Sequence, residues 1–172
     1  MRLRLTVLAV AGLVGAIAAG TAAPATTFTC TSAISSARAT SILGVPATVV
    51  AGGGGSDDCG INARGYGHII VTGYVVDRLF FDRVRRQTRN RTLTEGSTRT
   101  EHRQRTLQGF GRPAFAVESK SWFEGMSKPS VLRMVFVYKN GRMLRPTSTP
   151  GRGRIPSLAQ MIQLARVAAR GM

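Results

Sequence analysis

Three stretches of the chain are rich in apolar, β-branched and aromatic residues, and short runs of this kind bounded by glycine or turn residues are typical of β-strands. They cover residues 68–76, 113–119 and 131–147. Asn140-Gly141 divides the last stretch, and this pair favours a tight type I′ turn, so a β-hairpin is predicted there. Pro146 is expected to mark a strand end or a sheet edge, because proline donates no backbone hydrogen bond. Four alternate residues of the hairpin should share one sheet face: Leu132, Met134, Phe136 and Tyr138.

Three other stretches have the period of an α-helix. The helix over residues 31–43 should begin at Thr31 or Ser32 and end at Gly44, and one face should consist of Ile34, Ala37, Ser41 and Ile42. Residues 157–170 form the best-marked helix, since Ser157 and Gln160 have the spacing of a capping box. Its apolar stripe consists of Leu158, Met161, Ile162, Ala165, Ala168 and Ala169.

The third helix, residues 77–90, contains the arginine-rich run "FDRVRRQTRNR". At 100° per residue Val76, Phe80 and Val84 fall on one side, which we expect to face the core. The opposite side is charged, and Asp82 is spaced to pair with arginines one turn away. The basic residues of that side are Arg78, Arg85, Arg86 and Arg89.

The remaining segments are less regular. Residues 46–50 are a candidate strand, and the following "AGGGGSDD" is interpreted as a hairpin tip, since no Lys-Ser/Thr follows as in a phosphate-binding loop. Residues 92–108 are polar and charged, which leaves open a linker or an edge strand. "KSWFEGMSK", residues 120–128, is predicted to be a loop between two strands.

The first 25 residues have the layout of a secretory signal peptide, in which Arg2 and Arg4 precede an apolar run and small residues follow. We therefore expect residues 1–25 to be a signal peptide and residues 26–172 to form one domain. The alternative is an uncleaved N-terminal anchor. The protein should be exported, either secreted or associated with the periplasm or cell envelope. Cys30 and Cys59 are the only cysteines, and an even pair in an exported chain predicts a disulfide.

These elements together predict an α+β fold with an antiparallel sheet, helices packed on one face and one disulfide. The run "CTSAISSARATSILG", the second cysteine and "GFGRPAFAV" occur together with a basic hairpin that leads into an Ala-rich helix. In this layout the chain resembles small exported actinobacterial domains of unknown function, which are similar to the extracellular sensor domains of mycobacterial receptor kinases. The resemblance implies a curved sheet with a concave ligand-binding surface, and it supplies no functional residue. The chain lacks the lipobox of many members, and Gly60-Ile61 stands where members often have an aromatic residue.

Charge is the strongest functional signal. The chain has 24 Lys and Arg against 8 Asp and Glu, a net charge of +16, or about +14 without Arg2 and Arg4. Such a balance favours an acidic partner, and for an exported protein an acidic envelope component or anionic membrane surface fits better than nucleic acid. Arginine forks suit phosphate and carboxylate groups, and apolar tips beside cations suit anionic bilayers. The candidate ligand-binding residues are Arg78, Arg85, Arg86, Arg89, Arg99, Arg103, Arg105, Trp122 and Phe123.

The interpretation that assigns these residues no binding role is that the arginines form a solvated face and that Trp122 folds onto the core. No metal site, cofactor site or catalytic motif is predicted, so a non-enzymatic role is favoured. One alternative is a small secreted hydrolase such as a ribonuclease, for which Glu101 and His102 are the candidates. Adjacent strand residues point to opposite faces, which weighs against that pair, while Glu101 with His68 stays open. Another alternative is a sensor-type domain that binds a partner and for which the charge is incidental.

Overall fold

The computed structural model describes residues 29–52, 57–149 and 153–172. The predicted signal peptide and most of the glycine run lie outside the described residues. The four helices are α1 (Cys30–Ala33), α2 (Ser36–Leu43), α3 (Arg78–Gln87) and α4 (Leu158–Arg170). The eight strands are β1 (Ala47–Ala51), β2 (Asp58–Ala63), β3 (Ile69–Val75), β4 (Arg91–Glu95), β5 (Thr98–Thr106), β6 (Ala114–Trp122), β7 (Ser130–Lys139) and β8 (Arg142–Ser148).

The strands form a single antiparallel sheet in the order β1-β2-β3-β8-β7-β6-β5-β4. Hairpins join β1 to β2 to β3, and another series of hairpins joins β4 through β8. The segment containing α3 carries the chain from β3 to the far edge, and β8 then returns to pair with β3. The predicted α+β class with an antiparallel sheet and one disulfide is therefore confirmed.

The two ends of the sheet confirm two sequence predictions. β1 and β2 pair from Ala47–Ala63 to Ala51–Cys59, so the glycine run connects the two strands of a hairpin. β4 is an edge strand with all five residues exposed, which resolves residues 92–108 in favour of strands rather than a linker. No helix within the described ranges has the length and apolar character needed to span a membrane.

The β7–β8 hairpin forms around the predicted turn. Asn140 and Gly141 have φ values of 47° and 73°, the left-handed conformation that a type I′ turn requires. The prediction for Pro146 was wrong, because this residue is buried inside β8 and faces Val71 of β3. The β7–β8 pairing is interrupted at Pro146, between the Met134–Thr147 and Val137–Leu144 pairs, and the register is the same on both sides, so the missing N–H affects the ladder only locally.

The first predicted helix is divided in two. α1 ends at Ile34, and Ser35 then caps α2 by accepting a hydrogen bond from the backbone N–H of Arg38. The break changes the helical phase, so Ala39 and Leu43 are buried while Ala37 and Ser41 are exposed, against the predicted face. Gly44 ends α2 with a φ of 71°, as predicted.

The sheet has two differently covered faces. On the first, which we call the helical face, α1, α2 and α4 enclose the larger core cluster, which includes Val71, Val135 and Leu144. On the second, which we call the α3 face, α3 packs on a smaller cluster containing Phe115 and Phe136. The helices therefore do not all lie on one face, because α3 crosses the opposite side on its way to β4.

The packing of α3 also corrects the predicted helix face. Phe81 is fully buried and contacts the rings of Phe115 and Tyr138, each with a centroid separation of 5.3 Å. Phe80, which the periodicity placed in the core, is 43% exposed, whereas Val84 packs against the core as expected. Asp77 caps α3 by accepting a hydrogen bond from the backbone N–H of Phe80.

The predicted capping box of α4 is present, and its residue Gln160 has a second role. The Gln160 side chain accepts from the backbone N–H of Ser157 at 2.8 Å. Its Nε2 also lies 3.3 Å from the carbonyl oxygens of Ile42 and Leu43 at the end of α2. The predicted disulfide, Cys30–Cys59, joins α1 to β2 within the same core.

Candidate functional site

The structure divides the predicted arginines between the two faces of the sheet. Arg99, Arg103 and Arg105 alternate along β5 and face the helical side, where their cross-strand partners are Trp122, Glu118 and Ala116. The arginines of α3 lie on the other side, since Arg85 donates to the Thr106 hydroxyl and Thr106 is paired with Phe115. The single continuous arginine surface expected from the sequence is therefore two separate surfaces.

The larger unoccluded surface is on β5 and β6. α4 packs on β7 and β8, while the arginines of β5 are exposed on this side. We call the strip formed by the exposed Arg99, Arg103 and Arg105 and the half-buried Lys120 and Trp122 the β5 basic surface.

The two carboxylates of this region are already paired. Glu101 forms an ion pair with Arg99. Glu118 lies 2.7 Å from Arg133 Nε and 3.5 Å from Lys120 Nζ. Burial by itself would raise the pKa of Glu118, but the hydrogen bond from Arg133 and the charges of Arg133 and Lys120 outweigh it and lower that pKa. Glu118 is therefore ionised and committed to its neighbours.

Arg103 and Arg105 remain without an acidic partner. Both are exposed, and within the described residues neither lies at ion-pairing distance from a carboxylate. Side chains at i and i+2 of a strand are about 7 Å apart on one face. Arg103 and Arg105 are therefore exposed neighbours on one face, and Arg103 also lines a cavity of about 500 Å³ at the β4–β5 edge.

Trp122 lies at the end of the same surface. It is the last residue of β6, not a loop residue as predicted, because β6 extends three residues beyond the expected end. The ring is half-buried, and the Arg99 guanidinium lies over it with 5.4 Å to the ring centroid. Phe123 and Met126 follow in the loop and are 46% and 51% exposed. The loop therefore has the predicted exposed apolar residues, but Trp122 belongs to the strand that precedes the loop.

Beyond the end of β5 the chain forms a basic cavity that the sequence analysis did not identify. It has a volume of about 140 Å³ and lies between the β5–β6 loop and the end of α4. Arg112 donates to the carbonyl oxygens of Phe110 and Ala169, while Arg166 lies over the Phe110 ring. Arg170 also lines the cavity. These residues are distant in sequence, so no local pattern indicates that they meet.

The arginines of α3 are in part used internally. Arg78 forms the predicted ion pair with Asp82 at 2.9 Å and lies over the rings of Phe81 and Tyr138. Arg85 is held by Thr106. Arg86 and Arg89 are exposed and, among the described residues, have no carboxylate partner.

The candidate catalytic side chains do not converge, although Glu101 and His102 both line a cavity at the β4–β5 edge. Glu101 and His102 are neighbours on β5 and point to opposite faces, with Glu101 paired to Arg99. His102 Nδ1 lies 2.7 Å from Ser119 Oγ on the α3 face. Burial, and secondarily the charge of Arg91, lowers the pKa of His102. His68 precedes β3, four strand spacings or about 19 Å from β5.

Neither grouped metal ligands nor similarity to known proteins identifies the site. Within the described residues no three His, Cys, Asp or Glu side chains are grouped as a metal would require. The chain matches no protein-family model, no curated protein and no solved structure. The case for a function therefore depends on the geometry of the surfaces alone.

Proposed function

We propose that this chain is an exported, non-enzymatic domain that binds an acidic component of the cell envelope, either an anionic lipid surface or a wall polymer. The β5 basic surface is the binding site. The observation that carries this proposal is the position of Arg103 and Arg105, which are exposed on an uncovered sheet face and have no acidic partner among the described residues.

The arrangement suits repeated negative charges better than a single one. Arg99, Arg103 and Arg105 are spread over seven residues of β5, about 20 Å of extended strand. The basic cavity at Arg112, Arg166 and Arg170 follows where β5 ends. Guanidinium groups bind phosphate and carboxylate with two parallel hydrogen bonds, so anionic groups in series can engage successive arginines.

Trp122 provides the signal for a direct test, because it is the only tryptophan and it contacts Arg99. The described domain should be titrated with vesicles of phosphatidylglycerol, vesicles of phosphatidylcholine and soluble poly(glycerol phosphate), each at low and high salt. Binding at this surface should change Trp122 emission with an anionic probe only, and high salt should reverse the change.

A charge-matched pair of variants separates the site from general electrostatic attraction. Arg103→Gln with Arg105→Gln removes two exposed arginines from the β5 basic surface. Arg86→Gln with Arg89→Gln removes one arginine from α3, on the opposite side of the sheet, and one from the turn that follows α3. We expect the first pair to weaken binding about 10-fold and the second pair less than about 2-fold, since only the first contacts the ligand.

Each outcome has a defined meaning. Binding to the vesicles identifies a lipid surface, and a blue shift of Trp122 would place the Phe123 and Met126 loop in the interface. Binding to the polymer alone identifies a wall polymer. The proposal fails if neither anionic probe binds, or if both variant pairs weaken binding equally. Cleavage of RNA without metal, lost in His102→Ala, would instead support the hydrolase alternative.

A further inference from the structure

The α3 face contains a second feature, which is separate from the β5 basic surface. α3 covers the part of this face around Phe115 and Phe136. Farther along the strands β8 presents Arg145 and Thr147, two residues apart on the same face and in the middle of the eight-stranded sheet. Their neighbours on β3 are Thr72 and Ile70.

Arg145 and Thr147 both contain a buried polar atom with no protein partner. Arg145 Nε and Thr147 Oγ1 are shielded from solvent and make no hydrogen bond to the part of the chain that the structure describes. A buried donor or hydroxyl without a partner is destabilising, and such groups are uncommon in folded proteins. Because Arg145 and Thr147 are two residues apart on one strand, their two unpartnered polar atoms lie on the same face of the sheet.

The charge of Arg145 is also unbalanced. The guanidinium lies over the ring of Tyr74, 4.9 Å from its centroid, which fixes its orientation without neutralising it. None of the ion pairs of the described residues includes Arg145. Thr72 of β3 pairs with Arg145 on one side and with Asp58 of β2 on the other, so Asp58 is the nearest carboxylate in the register. The Cα atoms of Arg145 and Asp58 are two strand spacings, or about 10 Å, apart.

The surroundings of these two residues are apolar. Ile70 is 39% exposed, and Met134 and Leu132 lie on the adjacent strand β7, where Met134 pairs with Thr147. Leu132 pairs with Ser119, which places it on the same face. An oriented cation and a hydroxyl, bordered by the exposed Ile70 and the partly buried Leu132 and Met134, match a ligand that has one anionic end and an apolar body.

We infer that the α3 face binds a small amphiphilic oxyanion, an alkyl phosphate or alkyl carboxylate, with its head on Arg145 and Thr147 and its chain over Ile70, Leu132 and Met134. The head group accepts from the Arg145 guanidinium and from the Thr147 hydroxyl, and because Arg145 Nε and Thr147 Oγ1 are shielded in the free protein, binding requires the side chains above them to move aside. This site is on the opposite face from the β5 basic surface, so it stands or falls independently of the proposed function.

The test is a calorimetric titration of the described domain with dodecyl phosphate, dodecanoate and dodecanol, each below its micellar concentration. The two anions should bind and dodecanol should not. The relative affinity of the two anions distinguishes a phosphate ligand from a carboxylate ligand. In parallel, the NMR signal of the Arg145 Nε–H should shift on titration.

Three variants provide the controls. Arg145→Gln should weaken anion binding at least 10-fold, while Arg86→Gln, which removes an exposed arginine of α3 outside the site, should leave it unchanged. Thr147→Val should weaken binding several-fold without lowering the Tm, because it removes a hydroxyl that has no partner in the free protein and keeps its shape. The inference is overturned if dodecanol binds as tightly as the anions, if Arg145→Gln has no effect, or if Thr147→Val lowers the Tm and leaves affinity unchanged.

Discussion

Phe80 and Phe81 are chemically identical neighbours, yet only Phe81 is buried. Helical periodicity aligned Phe80 with Val76 and Val84, and the sequence offers no reason to prefer the next residue. The choice follows from where α3 crosses the sheet, because Phe115 and Tyr138 leave space for one ring beneath the helix. A helix of ten residues with a single deeply buried side chain can rotate about its axis by the one residue that separates Phe80 from Phe81. The surface beneath the helix therefore determines which of the two is buried.

This pair gives a prediction at the scale of the residue. Phe81→Ala should lower the free energy of unfolding by about 3–5 kcal/mol, because it leaves a cavity in the core of the α3 face. Phe80→Ala, the matched control, should cost less than about 1 kcal/mol, since its ring is already partly in water. Urea denaturation of both variants measures the difference, and equal losses would contradict the described packing of α3.

Among the elements, α4 shows how a local signal can also serve long-range packing. The capping box was visible in the sequence because Ser157 and Gln160 have a fixed spacing. The contacts of Gln160 with the last carbonyls of α2 were not visible, since residues more than a hundred positions apart meet there. The same limitation explains α1 and α2, where the chain must break to place both Cys30 and Leu43 in the core.

At the scale of the element we predict that Gln160→Ala destabilises the protein by about 1–2 kcal/mol, because it removes a cap and the bonds to α2 together. Gln163→Ala is the control, since Gln163 is exposed on the same helix and should change stability by less than about 0.5 kcal/mol. Thermal unfolding followed by circular dichroism compares the two. A Gln160→Ala variant as stable as Gln163→Ala would show that the cap and the α2 contacts contribute little.

In the whole molecule, the disulfide connects the N-terminal helices to the sheet. Cys30 and Cys59 are separated by 29 residues, and both are buried in the cluster that α4 completes. The β5 basic surface is on the opposite half of the sheet, beyond β7 and β6. The covalent link and the candidate binding strip are thus in different regions of one sheet.

We therefore predict that the disulfide affects stability and leaves the β5 basic surface intact. Cys30→Ala with Cys59→Ala should lower the free energy of unfolding by about 3–4 kcal/mol, as expected for closing a loop of this length. Reduction of the unmodified protein should have a similar effect. Under conditions where the variant remains folded, Trp122 emission should match that of the parent, and a changed spectrum would show that the disulfide constrains the distant strip.

The sequence by itself determined the features that depend on neighbouring residues. These include the Asn140-Gly141 turn, the capping box of α4, the ending of α2 at Gly44 and the β7 face with Met134, Phe136 and Tyr138. The disulfide was also predictable, because the chain has only two cysteines. Each of these features depends on local backbone geometry or on composition. Neither requires contacts between residues that are distant in the sequence.

Only the tertiary structure decided which residues act together. It placed the arginines of α3 and those of β5 on opposite faces, because α3 crosses one side of the sheet while alternate residues of β5 point to the other. It brought Arg112 to Arg166, and it left Arg145 beside Thr147 with polar atoms that have no partner in the chain. Strand order and the path of one helix set these relations, and neither is encoded in the local pattern of polar and apolar residues.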